Sequence, residues 1–201
     1  MKYVTAVVAS TFATVHFVGA ADECLKVDVN EAAFTTAREN TITPTEGVEF
    51  AFDGDIHTKW VDYSGGEPTW VNVALPSDVA VTTYGIVSGN DRSDRDPTDW
   101  VLSGSADGGE SWVVLDSQQG VIFSDREERL SFPINDNGAS YGLYQFNVSA
   151  VAGGAETALM QISELELWYG QDCHDPCCGQ DCSSHGTCDR TTGLCRCVAV
   201  T

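Results

Sequence analysis

The chain has 201 residues, with ten Lys and Arg against thirty Asp and Glu and a net charge of −20 at pH 7. That length holds one domain of ordinary size plus a small appendage. So acidic a surface repels phosphate backbones and anionic lipid headgroups, which argues against nucleic acid or a charged bilayer as a partner and favours a cation such as calcium.

Residues 1–20 are expected to be a secretory signal peptide. Lys2 precedes an uncharged apolar run from Val4 to Ala20 that ends in the small residues Gly19-Ala20-Ala21. A membrane anchor is the competing reading. The run is short for a span and contains Thr5, Ser10, Thr11, Thr14 and His16, and nothing later in the sequence is apolar enough to cross a bilayer. The chain is therefore expected to be secreted and extracellular. The cysteines agree: Cys24 stands alone after the leader and seven more fall between Cys173 and Cys197. An even number behind a signal peptide implies disulfides, whereas the Cys/His pairs of a zinc site do not occur.

From 21 to 170 the pattern is β. Val29 to Arg38 is expected to form a short helix or an irregular turn. Thr69–Leu75, Thr82–Ser88, Trp100–Ser105, Trp112–Leu115, Leu130–Ile134 and Tyr144–Val148 alternate apolar and polar residues as strands do. Asp107-Gly108-Gly109 reads as a hairpin turn, because glycine accepts the positive φ that tight turns need. In the last strand Met160 and Ile162 share one parity, while Leu165, Leu167 and Tyr169 share the other. That slip predicts a β-bulge near Ser163-Glu164 which turns Glu164 out of the regular pleat. Strands at this spacing predict an all-β sandwich or jelly roll. Residues 171–201 are rich in Cys, Gly, Ser and Asp, and a segment so small and polar depends on bridges rather than on a core.

Phe50-Ala51-Phe52-Asp53-Gly54-Asp55-Ile56-His57-Thr58-Lys59-Trp60 carries two acids around a glycine and a hydroxyl three residues beyond the second acid. A tight loop of this kind can offer carboxylate, hydroxyl and carbonyl oxygens to calcium, although a plain Asx turn explains Asp-Gly-Asp equally well. The further ligands of an EF-hand are missing.

This loop recurs in a fixed order with Thr69-Trp70-Val71, the run from Asn90 to Trp100, the run from Gly104 to Trp112, and Gln161-Ile162-Ser163-Glu164-Leu165. Together these motifs resemble the discoidin, or coagulation factor 5/8 C-terminal, domain family, and within it the galactose-binding-like, carbohydrate-binding branch. The resemblance implies an eight-stranded jelly-roll β-sandwich with a structural calcium ion. The ion's oxygens would come from Phe50, Asp53, Asp55, Thr58, Ser163 and Glu164. It also implies that loops at one end of the sandwich bind an extracellular glycan or glycoprotein. The candidates there are Asp62, Tyr63, Asn90, Asp91, Arg92 and Arg95: Arg offers a rigid fork of donors to vicinal hydroxyls and Tyr63 a stacking face. The competing readings are a salt bridge from Arg95 to Asp96 or Asp99 and a rim position for Tyr63. Galactose binders of the family commonly carry His directly after the loop tryptophan; Val61 stands there instead.

The tail from Cys178 through Cys182, Cys188 and Cys195 to Cys197 resembles the first two-thirds of a tenascin-type EGF-like repeat, whose pairing implies Cys178–Cys188 and Cys182–Cys195. Cys177 is then the expected partner of Cys197. Cys24 and Cys173 bracket the sandwich and are expected to pair with each other. Asn147-Val148-Ser149 is a glycosylation sequon within a predicted strand.

No nucleophile elbow, phosphate-cradling glycine loop or His-x3-His pair occurs, so a non-catalytic binder is expected. The alternatives are an adhesion or matrix protein that binds protein, and a hydrolase whose carboxylate pair the abundant acids conceal.

Overall fold

The structure, a computed structural model, describes residues 24–38, 43–65, 67–135, 138–157 and 159–170, together with the backbone strands at 186–189 and 194–197. The expected leader and most of the cysteine-rich tail lie outside the described residues.

The strands in chain order are β1 (Leu25–Lys26), β2 (Ala33–Thr36), β3 (Trp60–Asp62), β4 (Thr69–Val79), β5 (Val81–Val87) and β6 (Pro97–Ser105). After them come β7 (Val113–Gln118), β8 (Arg129–Pro133), β9 (Tyr141–Val151), β10 (Met160–Ile162) and β11 (Glu164–Tyr169). One sheet has the order β1-β11-β5-β8 and the other β2-β4-β9-β6-β7, while β3 and β10 form a short antiparallel pair. Further on, β12 (Gly186–Asp189) pairs antiparallel with β13 (Leu194–Cys197), which sets Cys188 opposite Cys195.

The core lies between the two sheets, filled by alternate residues of each strand. From β4 it takes Val71 and Val73, from β9 Tyr144, Phe146 and Val148, from β6 Trp100 and Leu102, and from β11 Leu165 and Leu167. Aromatic rings meet at its centre, where Phe132 stacks on Tyr84 and meets Trp100 edge-on, each at 5.2 Å between centroids. Strand β5 is buried on both faces because the Trp168 indole covers its outer side. Gly85 makes that cover possible: a Cβ there would lie 2.7 Å from the indole ring.

Two expectations change. Val29 to Arg38 contains β2 rather than a helix, since Phe34 stacks on Phe52 at 4.4 Å and the strand pairs along the edge of β4. The parity slip at Ser163 is a change of partner rather than a bulge within one strand: β10 pairs with β3, Ser163 breaks the run, and β11 pairs with β5. The register irregularity of β11 itself falls between Trp168 and Tyr169. Glu164 stays in the pleat opposite Val87 and is fully buried.

Candidate functional site

Two groups of loops gather at the end of the sandwich where β4 begins and β6 follows its loop. The first surrounds Thr58. Its hydroxyl lies 2.8 Å from Asp53 Oδ2, 2.8 Å from the Asp55 carbonyl oxygen and 3.4 Å from that of Phe50. One hydroxyl proton can serve only one of these three acceptors. The Gly54 N–H, at a φ of 80° that suits glycine, donates to Glu164 Oε1 at 2.9 Å. This brings β11, 110 residues further on, against the turn.

The other oxygen, Glu164 Oε2, is buried without a hydrogen-bond partner, and so is the hydroxyl of the adjacent Ser163. Lys26 Nζ stands 3.9 Å from Glu164 Oε2 but lies 3.0 Å from Glu166, which Arg129 also holds. Burial pushes the Glu164 carboxyl up to about 7; Lys26 opposes that, and the neighbouring carboxyls of Asp53 and Glu166 add to it. The structure thus brings Phe50, Asp53, Asp55, Thr58 and Glu164 together, with Ser163 beside them. Among the described residues no cluster of three or more His, Cys, Asp or Glu has a metal-holding arrangement. The cradle is made of two carboxylates and neutral oxygens, a donor set that suits a hard cation such as calcium rather than a transition metal.

The second group is the loop 89–96, fixed from beneath by three side chains. Lys59, nearly buried, donates to Asn90 Oδ1 at 3.0 Å and to Asp91 Oδ1 at 2.6 Å. The amide of Gln161, fully buried, donates to the Asp91 carbonyl at 2.5 Å and to Asp91 Oδ1 at 3.1 Å. Burial alone would raise the Asp91 carboxyl, but the hydrogen bonds from Lys59 and Gln161 outweigh it and hold the group below its ordinary value. Arg126 donates to the carbonyls of Gly89 and Asp91, each at 3.2 Å, and forks onto the buried Asp96.

The expected ligand residues divide accordingly. Arg92 sits at the exposed apex in left-handed backbone (φ 43°), its fork closed on Asp94 at 2.8 and 3.0 Å. That fork holds the Asp94 carboxyl down to about 2. Asn90 and Asp91 are exposed at the same apex. Arg95 does not bridge to Asp96 or Asp99, because Arg126 occupies Asp96 and the Gly120 N–H donates to Asp99. Arg95 reaches Gln161 at 3.5 Å instead, and its Nε is buried without a partner. Tyr63 exchanges a hydrogen bond with Thr43 at 2.8 Å. Asp62 is buried, its two oxygens taken by Thr69 at 2.6 Å and Arg38 at 3.2 Å, so it braces the loop from within. Val61 is fully buried.

Beside this loop opens a cleft of about 170 Å³ whose polar lining includes Ser64, Glu67, Thr69, Ser149 and Thr157, with Met160 at its base. None of the six expected ligand residues lines it. Thr69 and Thr157 connect it to them, through Asp62 at 2.6 Å and Asp94 at 3.3 Å. Sequence reading passed over the lining because Ser64 to Thr69 and Ser149 to Thr157 are far apart along the chain, and no motif joins them.

A two-sheet jelly roll with its loops gathered around a cleft at one end has the architecture of a galactose-binding-like module. The chain belongs to the F5/8 type C domain family, whose profile matches residues 33–141, more than half of the chain. Among solved structures it is similar to the F5/8 type C domain of a Bacteroides fragilis protein (TM-score 0.62, 15% identity, covering 74% of this chain and 98% of that one). It is also similar to the CBM32 module CpGH89CBM32-5 of Clostridium perfringens, in complex with GalNAc-β-1,3-galactose (TM-score 0.59, 15% identity, 71% of this chain and 99% of that one). A third is the family 32 module of C. perfringens NanJ in complex with galactose (TM-score 0.58, 14% identity, 73% of this chain and 99% of that one). A peptide-N(4)-(N-acetyl-β-glucosaminyl)asparagine amidase of Arabidopsis thaliana is 33% identical over 120 residues. That match is 59% of this chain and only 17% of the length of the amidase, and what the two share is the F5/8 domain.

Proposed function

We propose that this chain is a secreted, calcium-stabilised module that binds extracellular glycan through its loop end and has no catalytic activity of its own. The observation that carries the reading is the cleft at that end, where four hydroxyls and the Glu67 carboxylate stand among the apolar Val148, Ala150, Val151 and Met160, beside a loop held rigid by Lys59, Gln161 and Arg126. Hydroxyls and a carboxylate suit sugar hydroxyls, and a loop fixed from below loses little freedom when a ligand binds. The chain's relatives by fold include modules solved with galactose and with GalNAc-β-1,3-galactose, which supports a galactose-type or N-acetylgalactosamine-type ligand. Val61, buried in β3, offers no polar contact to the sugar.

A calcium ion fits the cradle around Thr58. Carbonyl oxygens of Phe50, Asp55 and Ser163, the carboxylates of Asp53 and Glu164, and the Thr58 hydroxyl would hold it. Its charge would satisfy the acceptors that one hydroxyl proton cannot, together with the buried Glu164 oxygen. The ion's contribution is structural: it ties the turn at 53–58 to β11.

Binding to an array of galactose- and N-acetylgalactosamine-terminated glycans, repeated with Glu67→Ala and Arg92→Ala, tests the function. Binding to a defined set of glycans, weakened about tenfold or more by Glu67→Ala, is the expected result. A folded protein that binds no glycan, or one that captures a protein partner indifferent to deglycosylation, overturns it in favour of the adhesion reading.

A further inference from the structure

The outer face of the five-stranded sheet carries a feature that the loop-end cleft reaches only at Ser149. Asn147 stands in the middle of β9, a strand paired on both sides, opposite Trp70 of β4 and Val101 of β6. Directly opposed residues share a face, with Cβ atoms about 5 Å apart. Val71, Phe146 and Val148 are buried in the core, so Trp70 and Asn147 point outward by alternation, and both are partly exposed. Asparagine is disfavoured inside strands, and here its side-chain amide makes no hydrogen bond among the described residues. The next amides along the same face behave otherwise: Gln145 donates to Asn72 at 2.9 Å. Among the described residues the Trp70 indole N–H is also without an acceptor. Ser149, where β9 shifts register against β6, is exposed and also lines the loop-end cleft. Asn147 and Ser149 of the sequon are thus both accessible, and Asn147 lies beside an aromatic ring whose donor is unused among the described residues.

We propose that Asn147 carries an N-linked glycan whose first N-acetylglucosamine lies against the Trp70 indole, so that the protein's own sugar roofs the outer face of the five-stranded sheet. In the forming step Asn147 Nδ2 loses a proton and bonds to C1 of the N-acetylglucosamine of a lipid-linked diphosphate oligosaccharide. The C1–O bond of that donor breaks and the lipid diphosphate leaves. The apolar face of the sugar covers the ring, and its N-acetyl group is within reach of the indole N–H. In the chain's native setting this rests on the export reading.

To keep the two distinguishable, the full chain is carried into a eukaryotic secretory pathway by an added export signal. One glycan is expected, absent from Asn147→Gln and from Ser149→Ala. The protein trimmed to a single N-acetylglucosamine is expected to melt about 2–4 °C above unglycosylated Asn147→Gln. That gap should close in Trp70→Ala and in Trp70→Thr, which keeps a strand-favouring residue, and persist in Trp70→Phe. Exported protein without sugar at Asn147 overturns the modification. A gap of the same size in the Trp70→Ala or Trp70→Thr background overturns the packing. Retention in the cell of the chain lacking the added signal bears on the export reading alone.

Discussion

Tyr84 shows how one buried hydroxyl serves two elements. It accepts from Trp100 Nε1 at 2.8 Å and donates to Asp116 Oδ2 at 2.6 Å, joining β5 to β6 and to the edge strand β7. Burial, and then the Asp116 carboxylate, push its phenol well above the ordinary value, which favours the protonated donor. Tyr84→Phe removes the oxygen and leaves the buried indole N–H without an acceptor. The expected loss is about 1–3 kcal/mol in urea unfolding with an unchanged m-value. The sequence placed Tyr84 on a strand face but could not show that Trp100 and Asp116 converge on it. Likewise it marked Asp53, Thr58 and Glu164 as a set only through resemblance to a family. Their meeting depends on β11 crossing the turn at 53–58, a contact 110 residues long.

Among the elements, the β6–β7 hairpin was the most legible, because its chemistry is local. Asp107 accepts from the Ser111 backbone and hydroxyl, and Gly108 and Gly109 take φ values of 75° and 97°. A Cβ at Gly108 meets nothing within 4 Å, so Gly108→Ala has only a backbone cost, about 1–2 kcal/mol by thermal unfolding. The loop 89–96 was less legible, since its fixing groups come from three other elements. Arg126 lies outside every motif yet holds Gly89, Asp91 and Asp96. Arg126→Ala leaves the buried Asp96 carboxylate unpaired and is expected to cost about 3 kcal/mol. It should also weaken glycan binding and increase amide exchange across 89–96, whereas unchanged exchange there would separate the loop from the guanidinium. Strand β2 escaped the sequence pattern because four residues at a sheet edge show too little alternation, and its place is set by Phe34 on Phe52.

For the whole molecule, one cation between the turn at 53–58 and β11 is expected to close a long loop of chain. Binding that favours the folded state stabilises by RT ln(1 + [L]/Kd), about 2.7 kcal/mol at a hundredfold excess over Kd. Chelation is therefore expected to lower the melting temperature, and calcium to restore it, in the parent protein. In Glu164→Gln the melting temperature should be indifferent to both. A parent protein equally indifferent would remove the ion from its structural role. The remaining ends of the sandwich meet elsewhere: Val27 and Tyr169 share a groove at the pole opposite the cleft. Cys24 beside them is disulfide-bonded.

By itself the sequence determined the class of fold, because alternation, glycine turns and parity act over a few residues and are written in adjacent positions. It determined the acidic composition, and the placing of Asp53, Asp55 and Thr58 in one turn, for the same reason. The tertiary structure alone decided that the slip at Ser163 is a change of sheet, that Asp62 is an internal brace, that Arg126 rather than Arg95 holds Asp96, and that the cleft belongs to Ser64, Glu67, Thr69 and Thr157. Each of these depends on which distant strands lie side by side, and that is fixed by packing across the sandwich rather than by any local pattern along the chain.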